Sequence, residues 1–325
     1  MINERRSRMT TRMTTICITG AAGNLGSLTA KYLLEHGDCR LHLMIHRKPL
    51  AAAIAEHPRV TVFRCDLNDK ASARACLSGV DVVIHYASVL FKANPERFMP
   101  TTNTAYFENM VTVAREAGVG RVILSSFPQV EGPTSPESPS TDRLDRTPVS
   151  VHARTRLAEE RFLRSIYPDG VVLRIGMVYG AGILMPDAAR WFAERRLLGV
   201  WRTPTWIHLI SRDDYLEAVL RAALNDGVRG TYNLGDEGRQ SLQDYLDFAC
   251  RQWQCRAPWR MPEAMIYGAA RVFETASQLF GIASPLTRDF LDIGGVSYYG
   301  DTRRMRAELL PTLKYPTMRD GAGTF

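Results

Sequence analysis

The strongest constraint on the fold of this chain is a glycine-rich turn set between a β-prone run and a helical one. Thr15-Ile16-Cys17-Ile18-Thr19 is apolar and partly β-branched. Gly20-Ala21-Ala22-Gly23-Asn24-Leu25-Gly26 follows with glycines at GxxGxxG spacing, and Leu25, Leu28, Tyr32 and Leu33 then recur at helical intervals. Further apolar runs at 41–45, 60–63, 80–84 and 122–124 alternate with helical patterns. Strands that alternate with helices at this spacing predict an α/β fold of the Rossmann type, a doubly wound parallel sheet joined by right-handed crossovers and covered on both faces. At 325 residues, 45% of them hydrophobic, the chain can fill such a core and leave a second part. We expect a disordered extension over 1–14, a dinucleotide-binding domain over 15–179, and a smaller, mainly α substrate-binding part over 180–325 that returns some chain to the sheet.

A glycine turn between the first strand and the first helix suits a dinucleotide. One glycine reverses the chain at positive φ, a second admits a pyrophosphate, and a third lets helix and strand pack closely. The phosphates would rest on the free amides and positive dipole end of the helix, over Gly20, Gly23, Asn24, Leu25 and Gly26. At the end of the second strand a carboxylate would accept hydrogen bonds from an NAD ribose, but the chain reads His46-Arg47-Lys48, and the next acid is Glu56. Cations there suit the 2′-phosphate of NADP; a solvated basic turn is the plainer alternative, and NAD remains open. Asp66-Leu67 after the third strand either brings a carboxylate to an adenine amino group or caps the next helix, and both can hold.

Lys and Arg number 41 against 34 Asp and Glu, a formal charge of +7. Only five are lysines, and the arginines are dispersed rather than blocked, which favours anionic small ligands over nucleic acid. Six irregularly spaced cysteines without a CxxC pair predict buried free thiols, with neither zinc nor a disulfide framework. The arginine-bearing start lacks the apolar core of a signal peptide, and no 18-residue apolar run occurs, so a cytoplasmic protein with no membrane partner is expected.

Together these segments resemble the extended short-chain dehydrogenase/reductases, the NAD-dependent epimerase/dehydratase family. The matching elements are Thr19–Gly26, Asp66-Leu67, His85-Tyr86-Ala87-Ser88, Asn103 opening a long helix, Leu124-Ser125-Ser126 with Val130-Glu131-Gly132, Arg174 with Val178-Tyr179-Gly180, and Arg212-Asp213-Asp214. The resemblance implies that Tyr86, Ala87, Ser88, Asn103, Met177 and Val178 border the dinucleotide, that a small molecule is the substrate, and that two long helices build a homodimer. It also implies a catalytic tyrosine with a lysine four residues on. None of the five lysines has a tyrosine at that spacing. Counting back from Glu160 puts Arg156 at the lysine position and His152 at the tyrosine position, while anchoring on Glu159 gives Thr155 and Val151. The family's serine or threonine falls on Phe127, with Ser125 and Ser126 just before it. We therefore expect an NADP(H)-dependent oxidoreductase in which His152 exchanges the proton, Arg156 fixes the ribose, and Ser125 or Ser126 assists. Alternatives are a dinucleotide-binding protein without turnover, non-reductive isomerase or lyase chemistry, and a nucleotide-sugar epimerase or dehydratase. The last is disfavoured because Gly199–Trp206 lacks the family's diphosphate-binding pattern. Most of the five tryptophans are expected in the core. The proline-rich loop 128–148 reads as a lid or a mobile connection, Ser150 as a helix cap, and the tail after Pro316 as disordered.

Overall fold

A computed structural model describes residues 12–89, 94–280 and 287–325. Six parallel strands come first: β1 (Thr14–Thr19), β2 (Cys39–Ile45), β3 (Val60–Arg64), β4 (Val82–His85), β5 (Arg121–Ser126) and β6 (Val171–Ile175). Helices α1 (Asn24–His36), α2 (Ala52–Ala55), α3 (Lys70–Leu77), α4 (Tyr106–Glu116) and α5 (Val151–Ile166) connect them. Then follow β7 (Met177–Tyr179), α6 (Leu184–Glu194), β8 (Gly199–Trp201), β9 (Trp206–Ile207), β10 (Leu209–Ser211), α7 (Arg212–Leu224) and β11 (Gly230–Leu234). The chain closes with β12 (Gln240–Ser241), α8 (Leu242–Gln252), β13 (Trp259–Met261), α9 (Glu263–Phe280) and α10 (Arg288–Gly295).

The main sheet has seven strands in the order β11-β6-β5-β4-β1-β2-β3, each pairing parallel. This is the expected Rossmann-like α/β fold, and β11 is the returning chain. Central strands such as β4 and β6 are buried along their whole length, as a sheet covered on both faces requires. One apolar cluster on the α1 and α7 side joins Ile16, Ile18, Leu41 and Val219; another, on the α3 and α4 side, joins Cys17, Met44, Phe107 and Leu163. A third, around Tyr179, Trp201, Ile207 and Tyr245, forms the core of the second part.

Four sequence expectations need correction. First, β1 begins at Thr14, and Arg12 donates to Gly79 O and Asp81, so 12–14 are folded; the rest of the expected extension lies outside the described residues. Second, the tail beyond Pro316 is packed as a strap. Ala181 N donates to Thr324 O at 2.7 Å, and the Phe325 ring enters a cage of Tyr179, Tyr245, Phe248 and Trp253. Third, the 128–148 loop is stitched down: Ser140 N donates to Tyr299 O, Thr134 N to Ser297 O, and Asn233 Nδ2 to the Ser140 and Thr141 carbonyls. Fourth, Trp191, Trp206 and Trp259 are exposed, whereas Trp201 is buried and Trp253 half-buried. All six cysteines are free, and five are buried. Among the described residues, no helix is long and apolar enough to cross a membrane.

Candidate active site

From β1 the sheet grows one way to β2 and β3 and the other way to β4, β5 and β6, so the loops after β1 and β4 part at the carboxyl edge. Such a reversal of strand order opens a crevice where α/β proteins bind ligands. Gly20 lies there at φ +66°, and a Cβ on it would stand 2.8 Å from Ala87 N, so only glycine fits beside the β4 loop. A Cβ on Gly26 would fall 2.4 Å from Gly20 O, which is the close strand–helix contact. At Gly23 the nearest atom would be Gly20 O at 3.0 Å, so the absent side chain leaves the helix mouth open. No side chain caps α1, and its first-turn amides remain available to an anion. The Asn24 side chain turns elsewhere: Nδ2 donates to Gly182 O (2.7 Å), and Oδ1 accepts from Leu184 N (3.0 Å), tying the glycine turn to the second part. Leu25 packs against the core at the start of α1.

His46, Arg47 and Lys48 are exposed just beyond β2, and Arg47 and Lys48 form no ion pair among the described residues. Asp66 is also exposed, beside half-buried Leu67. It does not cap α3: its Oδ1 accepts from Asn68 N in a local turn, while Asp69 accepts from Ala71 N and is the true N-cap. After β4, Thr19 Oγ1 shares a hydrogen bond with His85 Nδ1 (2.9 Å) and accepts from the amides of Tyr86 and Ala87 (3.2 Å each). The Tyr86 hydroxyl turns from the crevice and bonds to Thr29 and Tyr215, so that only its backbone borders the glycine turn. Asn103 does not open an α-helix; it lies in a π-helical stretch, Pro100–Ala105, ahead of α4. Its buried side chain accepts from Val89 N and donates to Ser88 Oγ, which fixes the β4 loop.

Ser150 caps helix α5, its hydroxyl accepting from Ala153 N as the sequence suggests, and Asp289 reaches over from α10 to accept from Val151 N. Within the first turn, the buried His152 ring stacks on Phe127 at 5.0 Å and 7°, and its Nδ1 lacks a partner. Burial and then the Arg156 charge pull this imidazole down to about 3, so it is neutral at ordinary pH. The same two causes pull His85 down to about 3; its Nε2 is likewise buried and unpartnered. Arg156 is buried and donates to Glu159 Oε2 at 2.6 Å, while burial lifts Glu159 to about 7 against the pull of that guanidinium. Ser126 donates to Glu160 at 2.5 Å, and Ser125 is half-buried beside it on β5. Glu160 in turn meets Arg174, which also pairs with Glu131. On β7, Val178 is buried and Met177 half-buried, alongside β10.

Sequence reasoning missed His85 and Glu159 as members of this cluster. Glu159 was legible from its i, i+3 spacing to Arg156. His85 carried a weaker signal, as a polar residue at the carboxyl end of a fully buried strand.

This arrangement defines a doubly wound α/β protein with a glycine-lined crevice and a buried histidine–arginine pair on the adjoining helix. The chain belongs to the NAD dependent epimerase/dehydratase family, whose model matches residues 16–235. It is 24% identical over 233 residues to the uronate dehydrogenase of Pseudomonas putida, a match spanning 72% of this chain and 80% of that one. Among solved structures, MoeE5 in complex with UDP-glucose and NAD superposes with a TM-score of 0.72 at 18% identity, covering 95% and 96% of the two chains. DesIV, a dTDP-glucose 4,6-dehydratase from Streptomyces venezuelae with NAD bound, gives 0.74 at 17%, covering 96% and 95%.

Proposed function

We propose that this chain is an NADP(H)-dependent oxidoreductase of the extended short-chain type, acting on the alcohol or carbonyl carbon of a small hydroxylated molecule. A dinucleotide fits the residues present: Gly23 leaves the mouth of α1 open, no side chain caps the first amides, and Arg47 and Lys48 stand uncommitted where a 2′-phosphate would lie. When bound, its oxidised nicotinamide supplies a hydride acceptor. The observation that carries the reading is the placement of His152, its ring stacked on Phe127, one turn before Arg156 on α5.

In alcohol oxidation the neutral imidazole of His152 takes the hydroxyl proton as the carbon gives up hydride and the C–O bond becomes C=O. Phe127 holds the ring in plane, and Arg156 keeps it unprotonated before the reaction. Glu159 holds the guanidinium in place. The stacking of Phe127 on His152 also favours the Glu160-anchored register, because it joins two of the three altered positions. A homodimer through α4 and α5 belongs to the same reading, and light scattering tests it.

Dinucleotide absorbance is the assay, with hexuronates, other sugars and simple alcohols and carbonyls as substrates. His152→Ala should lower kcat by about 10²–10⁴-fold and leave dinucleotide affinity unchanged. Arg47→Gln with Lys48→Gln should weaken NADP but not NAD. An unchanged kcat in the histidine variant would refute the proposed chemistry. Dinucleotide binding without any turnover would favour the second reading, a cofactor-binding protein that no longer catalyses. That reading draws on the Arg156–Glu159 pairing and on Phe127 standing where a hydroxyl residue is expected.

A further inference from the structure

Away from the crevice, α9 is apolar on both of its sides. Ile266 and Ala270 turn inward to the core of the second part, and Glu274 turns in with them, 2.7 Å from Arg288. On the opposite side stand Met265, Gly268, Ala269, Val272, Ala276 and Leu279, which a helix of 3.6 residues per turn brings into one stripe. Met265, Val272 and Leu279 are 58%, 67% and 75% exposed, and Phe273 beside them is exposed as well. A Cβ on Gly268 would meet nothing within 4 Å. The charged residues of the helix, Glu263, Arg271 and Glu274, all lie off the stripe. A helix that is apolar all round is ordinarily buried, yet among the described residues this side is left open.

The spacing of the stripe suits a second helix. Met265, Val272 and Leu279 recur every seven positions with the small Ala269 and Ala276 between them, so the stripe advances in steps of four and three. Two such helices laid antiparallel across a two-fold axis set the large side chains of each over the small ones of the other, and the small residues let the axes approach to about 8 Å. The exposed parts of Met265, Val272, Phe273 and Leu279 present roughly 450 Å² of apolar surface, so two copies closing on each other would bury about 1,000 Å² with the small residues between, the least that a specific interface needs. A lipid surface is the poorer match, because helices that lie on membranes carry Lys and Arg along their polar flanks and α9 offers Arg271 alone.

We infer that the outer side of α9 is a self-association surface whose occupant is α9 of a second copy of this chain, packed antiparallel about a two-fold axis near Val272. It is separate from the homodimer proposed through α4 and α5 and does not depend on the oxidoreductase reading. With both interfaces in place the chain is a tetramer, and with this one alone a dimer.

Sedimentation equilibrium of the full chain over a concentration series tests it. Val272→Asp and Leu279→Asp should each weaken association by about tenfold or more and bring the mass to half that of the unaltered chain, whichever other interface forms. Both side chains are exposed, so circular dichroism should show the helix content unchanged. Val272→Cys, oxidised with copper phenanthroline, should give a disulfide-linked dimer beyond the background of the unaltered chain. Met265→Cys should not, because antiparallel packing holds the two copies of that residue apart. Vesicles of phosphatidylglycerol and phosphatidylcholine should leave the chain in the supernatant. A mass indifferent to the Val272 and Leu279 variants, a dimer linked through Met265 rather than Val272, or sedimentation with the vesicles would each overturn the inference.

Discussion

Arg174→Met is the substitution whose cost the structure sets most sharply. Arg174 is fully buried on β6, with its Nη2 2.8 Å from one Glu160 oxygen and its Nε 3.2 Å from the other. Its Nη1 pairs with Glu131 and reaches Ser140 Oγ at 3.2 Å, and Nη2 also donates to the Arg143 carbonyl. One guanidinium thus joins the core sheet, helix α5 and the 128–148 loop. Methionine fills much of the volume but leaves two buried carboxylates without a counter-charge, a change that typically costs about 3–5 kcal/mol. For a protein of this size, at about 2 °C per kcal/mol, Tm should fall by about 6–10 °C. Differential scanning calorimetry at neutral pH reads it. Adding Glu131→Gln and Glu160→Gln to Arg174→Met removes the stranded charges and should recover part of the loss. A drop under about 2 °C in the single variant, or a further drop of several degrees in the triple one, would refute the reasoning.

Phe325→Ala empties the aromatic cage beneath the strap and should cost about 3 kcal/mol, measured by urea unfolding. Gly20→Ala forces a side chain into a left-handed turn against Ala87 N, and should destabilise by about 2 kcal/mol or more while abolishing dinucleotide binding. Stability should peak near pH 6.5. Below it, His85, His152 and His208, depressed to about 3, 3 and 4, take up protons only when unfolded, so stability falls as pH drops. Above it, Glu159 and Asp236, raised by burial to about 7 and 8, hold protons only when folded, so stability falls as pH rises through those values. A Tm profile from pH 5 to 8.5 checks the sign on each side; a monotonic rise would contradict it.

The parts of this molecule legible in its sequence are those fixed by local chemistry. Alternating strands and helices, the glycine turn and the Ser150 cap each follow from residues a few positions apart, and the sheet is built as they imply. Errors arose where distant contacts decide. Asp66 and Asp69 are equally good capping residues, and only the packing of α3, which begins at Lys70, selects the second. The tail is short and glycine-bearing, with only Met318, Ala322 and Phe325 as apolar residues, yet Phe325 finds four rings from β7, α8 and the residue that follows α8. The 128–148 loop resembles a mobile connection because its anchors, Arg174, Asn233 and Tyr299, lie far along the chain. Tyr86 and His85 are neighbours whose side chains leave the backbone on opposite sides, so the motif alone could not say which of them joins the Arg156 cluster.

A structure of the chain with NADP and an alcohol bound tests the central claim most directly. We expect the nicotinamide C4 within about 3–3.5 Å of the reacting carbon, with the alcohol oxygen in hydrogen-bond reach of His152 and the 2′-phosphate on Arg47 and Lys48. An imidazole sealed behind Phe127, with another group on the reacting oxygen, would contradict the account.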